Sequence, residues 1–279
     1  MLGIAQNAQL AGWTRNIPVV ATSAVAFDGT GDYYSAAGLT TTATDNKYLT
    51  LAFTFYLNSS LSTGLWALVA GNFGPASPGA KINLSFQAVL QSTSLHMWFA
   101  NGSGSDIGQT YGGYTITGLN AWHQIVYYQD STAFANCKYY VDGVDHTGLL
   151  LNGPSFGELG IANTDFNWGY TNSQVLIGNA STLPNTGFYS GANDFLGNFA
   201  QIYIHNNNSA PTISNYWNST SNLPRDLGTT GTATGLAQPL IYHSGGTSTF
   251  PTNNGTGFNA YTLTASGTPT TVAGPTYGT

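Results

Sequence analysis

Large apolar side chains alternate with small or polar ones through residues 49–57 of this 279-residue chain. The apolar positions are Leu49, Leu51, Phe53, Phe55 and Leu57. A period of two residues places all of them on one face of a β-strand, whereas a helix would distribute them around its axis. The segment therefore predicts a strand that packs with one face on an apolar core.

Two further segments, at residues 82–90 and 95–99, alternate in the same way. The side chains expected to be most firmly buried are Phe53, Phe55, Leu84 and Phe86. Asp142 and Gly143 follow another apolar run, and this pair tolerates the positive φ angles of a tight hairpin turn. With 35 glycines available for further turns, these patterns predict an all-β chain of many short strands.

One segment has helical features instead. Ser209 and Pro211 are of the residue types that start helices, and Ile213, Tyr216 and Trp217 follow at the i, i+3 and i+4 spacing of one helical face. This spacing predicts a helix of two turns that folds onto the strands.

The chain divides into three parts. Residues 1–22 precede the first predicted strand and are expected to form an N-terminal arm that attaches the protein to neighbouring subunits. The arm residues expected to make this contact are Trp13, Arg15 and Pro18. Residues 23–220 are long enough to form one domain with a substantial apolar interior. Residues 221–279, rich in glycine and threonine, are predicted to pack on that domain and to add strands at 239–242 and 258–263.

The composition is unusually poor in charge. Five basic and 11 acidic residues make up 6% of the chain, against roughly 25% in ordinary soluble domains. A surface with few long charged side chains loses little side-chain entropy when it docks, so this composition favours a place in an assembly. The alternative is that threonine and asparagine simply suit strands and turns. The net charge of −6 offers no basic face to phosphate groups, so neither nucleic acid nor a membrane is expected as a partner.

The N-terminal sequence lacks the positive region and the continuous apolar stretch of a secretion signal. No window approaches the roughly 18 apolar residues of a membrane-spanning helix. The expectation is a protein that is made in a cytoplasm and is not exported by that route. The single cysteine, Cys137, lies at strand spacing from Tyr139 and Val141 and is predicted to be a buried thiol.

Three stretches, taken in order, resemble the concanavalin A-like lectin/glucanase superfamily in its laminin-G-like and pentraxin-like branch. They are the strand and turn at residues 24–33, the hairpin at 122–143, and the Ile-Gly, Phe-Leu-Gly and Ile-Tyr-Ile motifs within 177–204. The resemblance covers roughly residues 23–220. It implies an antiparallel β-sandwich of the jelly-roll type, followed by one short helix.

The C-terminal part looks like the ending found after such domains in proteins of tailed bacteriophages. The residues that carry this likeness lie at 223–228, 234–235, 239–242, 250–253 and 274–275. It implies a virion structural protein, either a capsid decoration or a tail or fibre component, made in the host cytoplasm and located in the virion. The partners implied are other virion proteins, further copies of the chain in a homo-oligomer, and host-surface glycans.

The superfamily also contains glycoside hydrolases, and a retaining hydrolase needs two carboxyl groups about 5 to 5.5 Å apart. The chain has one glutamate, Glu158, and no predicted strand carries acidic residues at i and i+2. The five histidines lack a metal-binding spacing, and His123 and His205 are expected to be structural. We therefore expect a protein that is not an enzyme.

Calcium is the one ion to consider, because domains of the laminin-G-like and pentraxin-like kind often bind it at the rim of the sandwich. Asp28, Asp32, Asp165 and Asp194 lie in predicted loops or at strand ends and offer the oxygen ligands that calcium prefers. The alternative is that these aspartates accept local backbone hydrogen bonds in turns. No other cofactor is expected.

Glycan binding needs an exposed aromatic ring beside hydrogen-bonding side chains. The residues that meet this need are Asp165, Asn167, Trp168 and Tyr170 in one loop, and Tyr111 and Tyr114 in a second patch. Alternatively, these rings pin a long loop to the sandwich or lie in a subunit contact. The sequence thus leaves three functions open, namely a virion structural protein, a free lectin or adhesion module, and a glycoside hydrolase.

Overall fold

The computed structural model describes residues 19–20, 23–41, 43–44, 46–58, 65–73, 84–91, 94–100, 106–152, 165–166, 168, 173–179 and 194–278. Within these ranges the regular structure consists of 20 strands and three short 3-10 turns. No helix in this part of the chain is long and apolar enough to cross a lipid bilayer. The predicted all-β class is confirmed.

The strands are β1 (Val19–Val20), β2 (Ala24–Asp28), β3 (Tyr33–Leu39), β4 (Tyr48–Leu57), β5 (Leu65–Phe73), β6 (Leu84–Gln91), β7 (Ser94–Ala100), β8 (Asp106–Thr115), β9 (Ala121–Asp130), β10 (Lys138–Val141), β11 (Val144–Asp145), β12 (Leu150–Asn152), β13 (Ser173–Ile177), β14 (Leu196–His205), β15 (Trp217–Asn218), β16 (Leu223–Pro224), β17 (Ile241–Ser244), β18 (Thr264–Ser266), β19 (Thr270–Val272) and β20 (Thr276–Tyr277). The 3-10 turns are Phe134–Asn136, Thr147–Leu149 and Ile213–Asn215. Strands β6 and β7 confirm two of the alternating segments, and the burial of Leu84 and Phe86 stays a prediction.

Two antiparallel sheets of eight strands form the body of the described structure. Sheet 1 has the order β11-β10-β9-β4-β14-β2-β19, and β17 also pairs with β14. Sheet 2 has the order β12-β8-β7-β6-β5-β13-β3-β18. Two small ribbons, β1 with β20 and β15 with β16, lie outside these sheets. Side chains from both sheets share one apolar cluster, so the sheets pack face to face as the predicted sandwich.

The face of sheet 1 that points toward sheet 2, here called the inner face, carries the main core. All five apolar side chains predicted from the alternation in β4 are fully buried there. Phe199 of β14 joins them, and Tyr34 of β3 and Val175 of β13 reach the same cluster from sheet 2. Phe27 and Phe199 meet edge to face with ring centroids 5.8 Å apart, a favoured aromatic arrangement. The core prediction for β4 is confirmed.

The opposite face of sheet 1, here called the outer face, is buried as well. On β4 the side chains of Thr50, Ala52 and Thr54 are at most 3% exposed, although alternation predicted a strand with only one buried face. The chain after β14 folds across it and contributes Tyr216 and Tyr242 to a second apolar cluster. The full cluster is Ala52, Val126, Tyr203, Tyr216, Leu227 and Tyr242. Strand β4 is therefore covered on both sides.

Parts of the C-terminal segment extend both sheets. Strand β17 pairs with β14, which confirms the strand predicted near residues 239–242. The strand predicted at 258–263 is wrong, because that segment makes only isolated bridges, Thr41 to Phe258 and Thr252 to Thr262. Regular pairing begins again at β18, which joins β3 in sheet 2.

The two-turn helix predicted at residues 209–217 is also wrong. The structure has a single 3-10 turn, in which the Tyr216 N–H donates to the carbonyl of Ile213 (2.9 Å). The Tyr216 carbonyl then accepts from the Arg225 N–H (2.7 Å), so the chain continues into the β15–β16 ribbon. The Tyr216 ring packs edge to face on Tyr203, with centroids 5.8 Å apart. The apolar spacing reflects this packing and not a helical face.

Asp142 and Gly143 form the hairpin turn between β10 and β11, as predicted. Their φ angles are 49° and 75°, the two positive values of a type I′ turn. Trp217 packs so closely over the turn that a Cβ atom at Gly143 would overlap its indole ring. Glycine is therefore required here both for its backbone conformation and for its lack of a side chain.

Candidate functional site

The aspartates predicted as calcium ligands mostly hold a turn together. Asp28 accepts from the Thr30 N–H through Oδ1 (2.7 Å), and its own N–H donates to Asp32 Oδ2 (3.2 Å). The other oxygen of Asp32 accepts from the Thr268 N–H (2.6 Å). Backbone amides thus occupy these carboxylates, as the alternative interpretation of the sequence predicted.

Asp194 contacts the same turn from a distant part of the chain, and Asp165 does not. Asp194 accepts from the Gly31 N–H (2.6 Å) and from the side-chain amide of Asn179. Asp165 instead forms an ion pair with Lys47 (3.1 Å). Among the described residues no group of three or more His, Cys, Asp or Glu side chains is arranged to hold a metal. The four predicted ligands therefore do not form one described site.

The predicted glycan-binding loop places its tryptophan in the core. Trp168 is 0% exposed and packs edge to face on Phe166, with centroids 6.5 Å apart. A ring without solvent contact cannot stack on a sugar, so the prediction of Trp168 as an exposed platform is wrong. These two rings pin the loop to the sandwich, which was the alternative. Asn167 and Tyr170 lie outside the described residues.

For the remaining site residues predicted from the sequence, the structure does not describe the side chains. Tyr111 and Tyr114 lie in strand β8, and their part in glycan binding stays a prediction. Glu158 falls outside the described residues. The same holds for the arm residues Trp13, Arg15 and Pro18.

His123 is a structural residue, as predicted. Its Nδ1 lies 2.8 Å from Asp142 Oδ2 and its Nε2 lies 3.0 Å from the carbonyl oxygen of Gly118. Both partners are acceptors, so both ring nitrogens donate only when the imidazole is protonated. Burial alone would lower the pKa of His123, but the hydrogen bond and charge of Asp142, with the Gly118 carbonyl, outweigh it and raise the pKa.

His243 and Cys137 are also buried, and their environments indicate structural roles. His243 donates from Nδ1 to the Phe250 carbonyl (2.7 Å) and accepts at Nε2 from the Tyr261 hydroxyl (3.1 Å). Burial lowers the pKa of His243 to about 4. Cys137 is fully buried, as predicted, and burial raises the pKa of its thiol to about 12.

A cleft of about 500 Å³ lies on the outer face of sheet 1, next to strands β14 and β17. Small polar side chains dominate its walls, which come from five separate parts of the chain. The lining residues are Ser23, Ala200, Gln201, Asp226, Gly228, Thr229, Ser244, Gly245, Ser248, Thr249, Thr252, Asn254 and Tyr277. We call this feature the polar cleft. Its volume falls within the roughly 300–1,000 Å³ of small-molecule sites.

Gln201 and Asp226 form a linked pair in the wall of the polar cleft. The Gln201 side chain points to the outer face, at the irregularity in pairing between β14 and β4. Its Nε2 donates to Asp226 Oδ1 (3.0 Å), and that oxygen also accepts from the Gly228 N–H (2.9 Å). These two bonds fix the carboxylate relative to the sheet.

The other amide atom of Gln201 is a buried acceptor without a donor. Gln201 is 3% exposed, and its Oε1 has no hydrogen-bond partner. The Tyr242 hydroxyl lies beside this side chain, but it donates its single proton to the Gly228 carbonyl (2.7 Å). An unsatisfied buried acceptor costs about 1–3 kcal/mol. A donor that entered the polar cleft would recover this cost.

Gln124 provides an internal comparison. Thr54 of β4 pairs in register with both Gln124 of β9 and Gln201 of β14, so the three side chains form one row across the outer face. Gln124 is 2% exposed, donates from Nε2 to Thr54 Oγ1 (3.4 Å), and has no partner for Oε1. It does not line the polar cleft. The two glutamines thus share chemistry and burial, and only one lines the cleft.

Neither Gln201 nor Asp226 was predicted from the sequence. The signal for Gln201 was a polar residue inside an otherwise apolar run, residues 199–204 of strand β14. Its burial depends on chain segments that follow it by 25 residues or more in the sequence. A second missed feature is the pair of Tyr56 and Trp122, half-buried rings on the outer face with centroids 5.6 Å apart.

This chain is similar to known proteins in its fold and not in its sequence. No protein-family profile and no curated protein matches the sequence. Among solved structures, a candidate carbohydrate-binding protein from Bacteroides ovatus has a TM-score of 0.51 at 12% identity, over 92% of this chain and 62% of that one. A heptameric SAP-like pentraxin from Limulus polyphemus gives 0.49 at 12% identity, over 91% and 95%. Domains LG4-5 of the mouse laminin α1 chain give 0.44 at 15% identity, over 68% and 44%.

At 12% identity the likeness to the Bacteroides protein concerns the fold alone. It agrees with the two antiparallel sheets and with the core that they share. It also agrees with the ordered motifs at residues 24–33, 122–143 and 177–204. The chain has the concanavalin A-like lectin/glucanase sandwich fold.

Proposed function

We propose that this protein is a carbohydrate-binding module without enzymatic activity and that the polar cleft is its binding site. The observation that carries the proposal is Gln201 Oε1, a buried acceptor without a donor in the wall of the cleft. A sugar hydroxyl is a donor of suitable size for this position. Binding would exchange an unsatisfied group for a hydrogen bond, which is worth more in a buried site than at the surface.

The rest of the polar cleft is suited to the same kind of ligand. Serine and threonine hydroxyls both donate and accept, and Asn254 offers an amide beside them. Sugar hydroxyls have the same dual character, so one ligand can satisfy several of these groups at once. Tyr277 adds an aromatic ring to the wall. The fold supports the proposal by analogy, since the similar Bacteroides ovatus protein is a candidate carbohydrate-binding protein.

The absence of hydrolytic activity is part of the proposal. Hydrolysis by the usual routes requires two carboxyl groups on opposite sides of the scissile bond. Among the described residues that line the polar cleft, Asp226 is the only carboxylate. One carboxylate that already accepts two hydrogen bonds suits ligand binding better than acid catalysis.

A glycan array followed by titration calorimetry tests the proposal. The wild-type protein should bind at least one class of glycan on the array. Gln201→Met keeps the size of the side chain and removes both the unpaired acceptor and the donor to Asp226. It should weaken binding by at least about tenfold, the equivalent of one buried hydrogen bond. Gln124→Met is the matched control and should bind as the wild type does. Thermal unfolding of both variants checks that they are folded.

Two results would contradict the proposal. Failure of the wild-type protein to bind any glycan would remove the function. Equal affinity in the wild type and in folded Gln201→Met would remove the polar cleft as its site, and Trp122→Ala would then test the Tyr56 and Trp122 pair instead.

A structural role in a tailed-bacteriophage virion is a second candidate, and it is compatible with glycan binding. The observation that favours it is the charged content of 6%, which suits a surface held in an assembly. Mass spectrometry of purified particles of the virus that encodes this chain should detect its peptides. Particles without them would exclude this role and leave the binding module.

A further inference from the structure

The charge of the polar cleft restricts what it can bind. No lysine, arginine or histidine is among the described residues that line it, and Asp226 contributes one negative charge. Arg225 precedes Asp226 in the sequence but does not line the cleft. An acidic ligand would therefore bring its charge near a carboxylate without meeting a cation. Two like charges separated by a few ångströms repel each other even near a protein surface.

The hydrogen-bonding groups of Gln201 and Asp226 also disfavour an acidic ligand. Gln201 Oε1 is an acceptor only, and Asp226 Oδ1 already accepts from two N–H groups. The second oxygen of Asp226, Oδ2, makes no hydrogen bond within the described residues, and the side chain is exposed. The pair thus offers a ligand one exposed acceptor, Asp226 Oδ2, and beside it one buried acceptor without a donor, Gln201 Oε1. A ligand carboxylate or sulfate offers acceptors and no donors, and it satisfies neither oxygen.

The side chains of Gln201 and Asp226 are held together. The bond from Gln201 Nε2 to Asp226 Oδ1 joins them (3.0 Å), and Gln201 is held in strand β14. Two donors on adjacent atoms of one rigid ligand suit such a pair better than two independent molecules do. The entropy cost of immobilising the ligand is then incurred once for two hydrogen bonds. Neighbouring hydroxyl groups on a pyranose ring have this arrangement.

We infer that the polar cleft selects neutral sugars over acidic ones. One hydroxyl of the sugar donates to Gln201 Oε1, a neighbouring hydroxyl donates to Asp226 Oδ2, and the Asp226 carboxylate disfavours sugars that carry a carboxylate or sulfate. The inference rests on the proposed function, since it names the ligand class of the same site.

Titration calorimetry with matched pairs of oligosaccharides tests the selectivity. Each pair has the same core and differs only in a terminal neutral sugar or an acidic one. The wild-type protein should prefer the neutral member by at least about tenfold at low salt, and added salt should narrow this preference because it screens the repulsion. Asp226→Asn should weaken binding of the neutral sugar by about three- to tenfold and should reduce the preference. Asp145→Asn, which changes the net charge equally and lies outside the cleft, should change neither.

The outcomes separate this inference from the proposed function. If acidic sugars bind as well as neutral ones or better, the selectivity is wrong and the binding module stands. If neutral sugars are preferred and Asp226→Asn leaves both the affinity and the preference unchanged, Asp226 is not the selecting group and the inference is also wrong. If neither member of any pair binds, the proposed function itself fails.

Discussion

Both faces of sheet 1 contain fully buried side chains, and the two faces differ in what they bury. The inner face packs Phe53 and Phe55 against sheet 2 in an apolar core. The outer face places Thr54, Gln124 and Gln201 beneath the C-terminal part of the chain, each at most 3% exposed. Burial alone therefore does not distinguish a structural core from a candidate site in this molecule.

Hydrogen-bond satisfaction distinguishes the buried histidines of the inner face from the buried glutamines Gln124 and Gln201 of the outer face. The inner face also contains polar groups, but His123 and His243 find a partner for both ring nitrogens. On the outer face, Gln124 and Gln201 each keep an acceptor without a donor. Buried polar groups are usually paired, so an exception needs an explanation. For Gln201 we propose the polar cleft as the explanation, because the Gln201 side chain is part of the cleft wall.

The largest expected effect contrasts one position on each face. Phe53→Ala removes a fully buried ring from the inner face and should lower the free energy of unfolding by about 3–5 kcal/mol. Thr54→Ala removes from the outer face a hydroxyl that accepts one long bond from Gln124 (3.4 Å). It should cost about 1 kcal/mol. Urea unfolding measures both, and equal losses would show that the outer face is as tightly packed a core as the inner one.

The inner face was predictable from local sequence and the outer face was not. Alternation along β4 identifies Phe53 and Phe55 because side-chain direction in a strand depends only on neighbouring residues. The Asp142-Gly143 turn was predictable for the same reason, since its φ angles are a local property. Gln201 differs because its surroundings come from Asp226, Tyr242 and Tyr277, which are distant in sequence.

The wrong predictions have the same origin. Trp168 lies in a loop with the composition of a sugar-binding site, and contacts with the core decide that its ring is buried. Trp217 fits a helical spacing, yet its pairing with Pro224 places it in a strand. In both cases a tertiary contact overrides a short-range pattern, and the sequence contains no local signal of that contact.

The second-largest expected effect is a loss of stability in acid that arises from His243 on the inner face. His243 is neutral when folded because burial lowers its pKa from 6.5 to about 4. Between these values the unfolded chain binds the additional proton, so stability falls as the pH is lowered from 6.5 toward 4. The loss should total about 3 kcal/mol at an ordinary 1.4 kcal/mol per unit. Urea unfolding from pH 4 to 8 measures it, and His243→Gln should flatten this part of the profile. An unchanged slope in the folded variant would assign the acid loss to other groups.

The smallest effect has the opposite sign and lies at the edge of the inner face, where His123 contacts Phe55 (centroids 6.2 Å apart). Its pKa is raised above 6.5 in the folded protein, because Asp142 and the Gly118 carbonyl outweigh burial. Its contribution to stability is complete below pH 6.5, where folded and unfolded chains are both protonated. It is lost as the pH rises through the folded pKa, because the folded state then releases a proton that the unfolded state has already lost.

Asp142→Asn isolates this contribution, because asparagine tolerates the positive φ of 49° at this turn and removes only the charge. The wild-type protein should lose stability as the pH rises above 6.5, and the variant should lose less. The loss of stability below pH 6.5, which we attribute to His243, should be the same in the variant as in the wild type. A variant that keeps the full loss above pH 6.5 would show that the pair of His123 and Asp142 does not carry it. In that case Asp142 would not stabilise His123 in the way that distinguishes this histidine from Gln201.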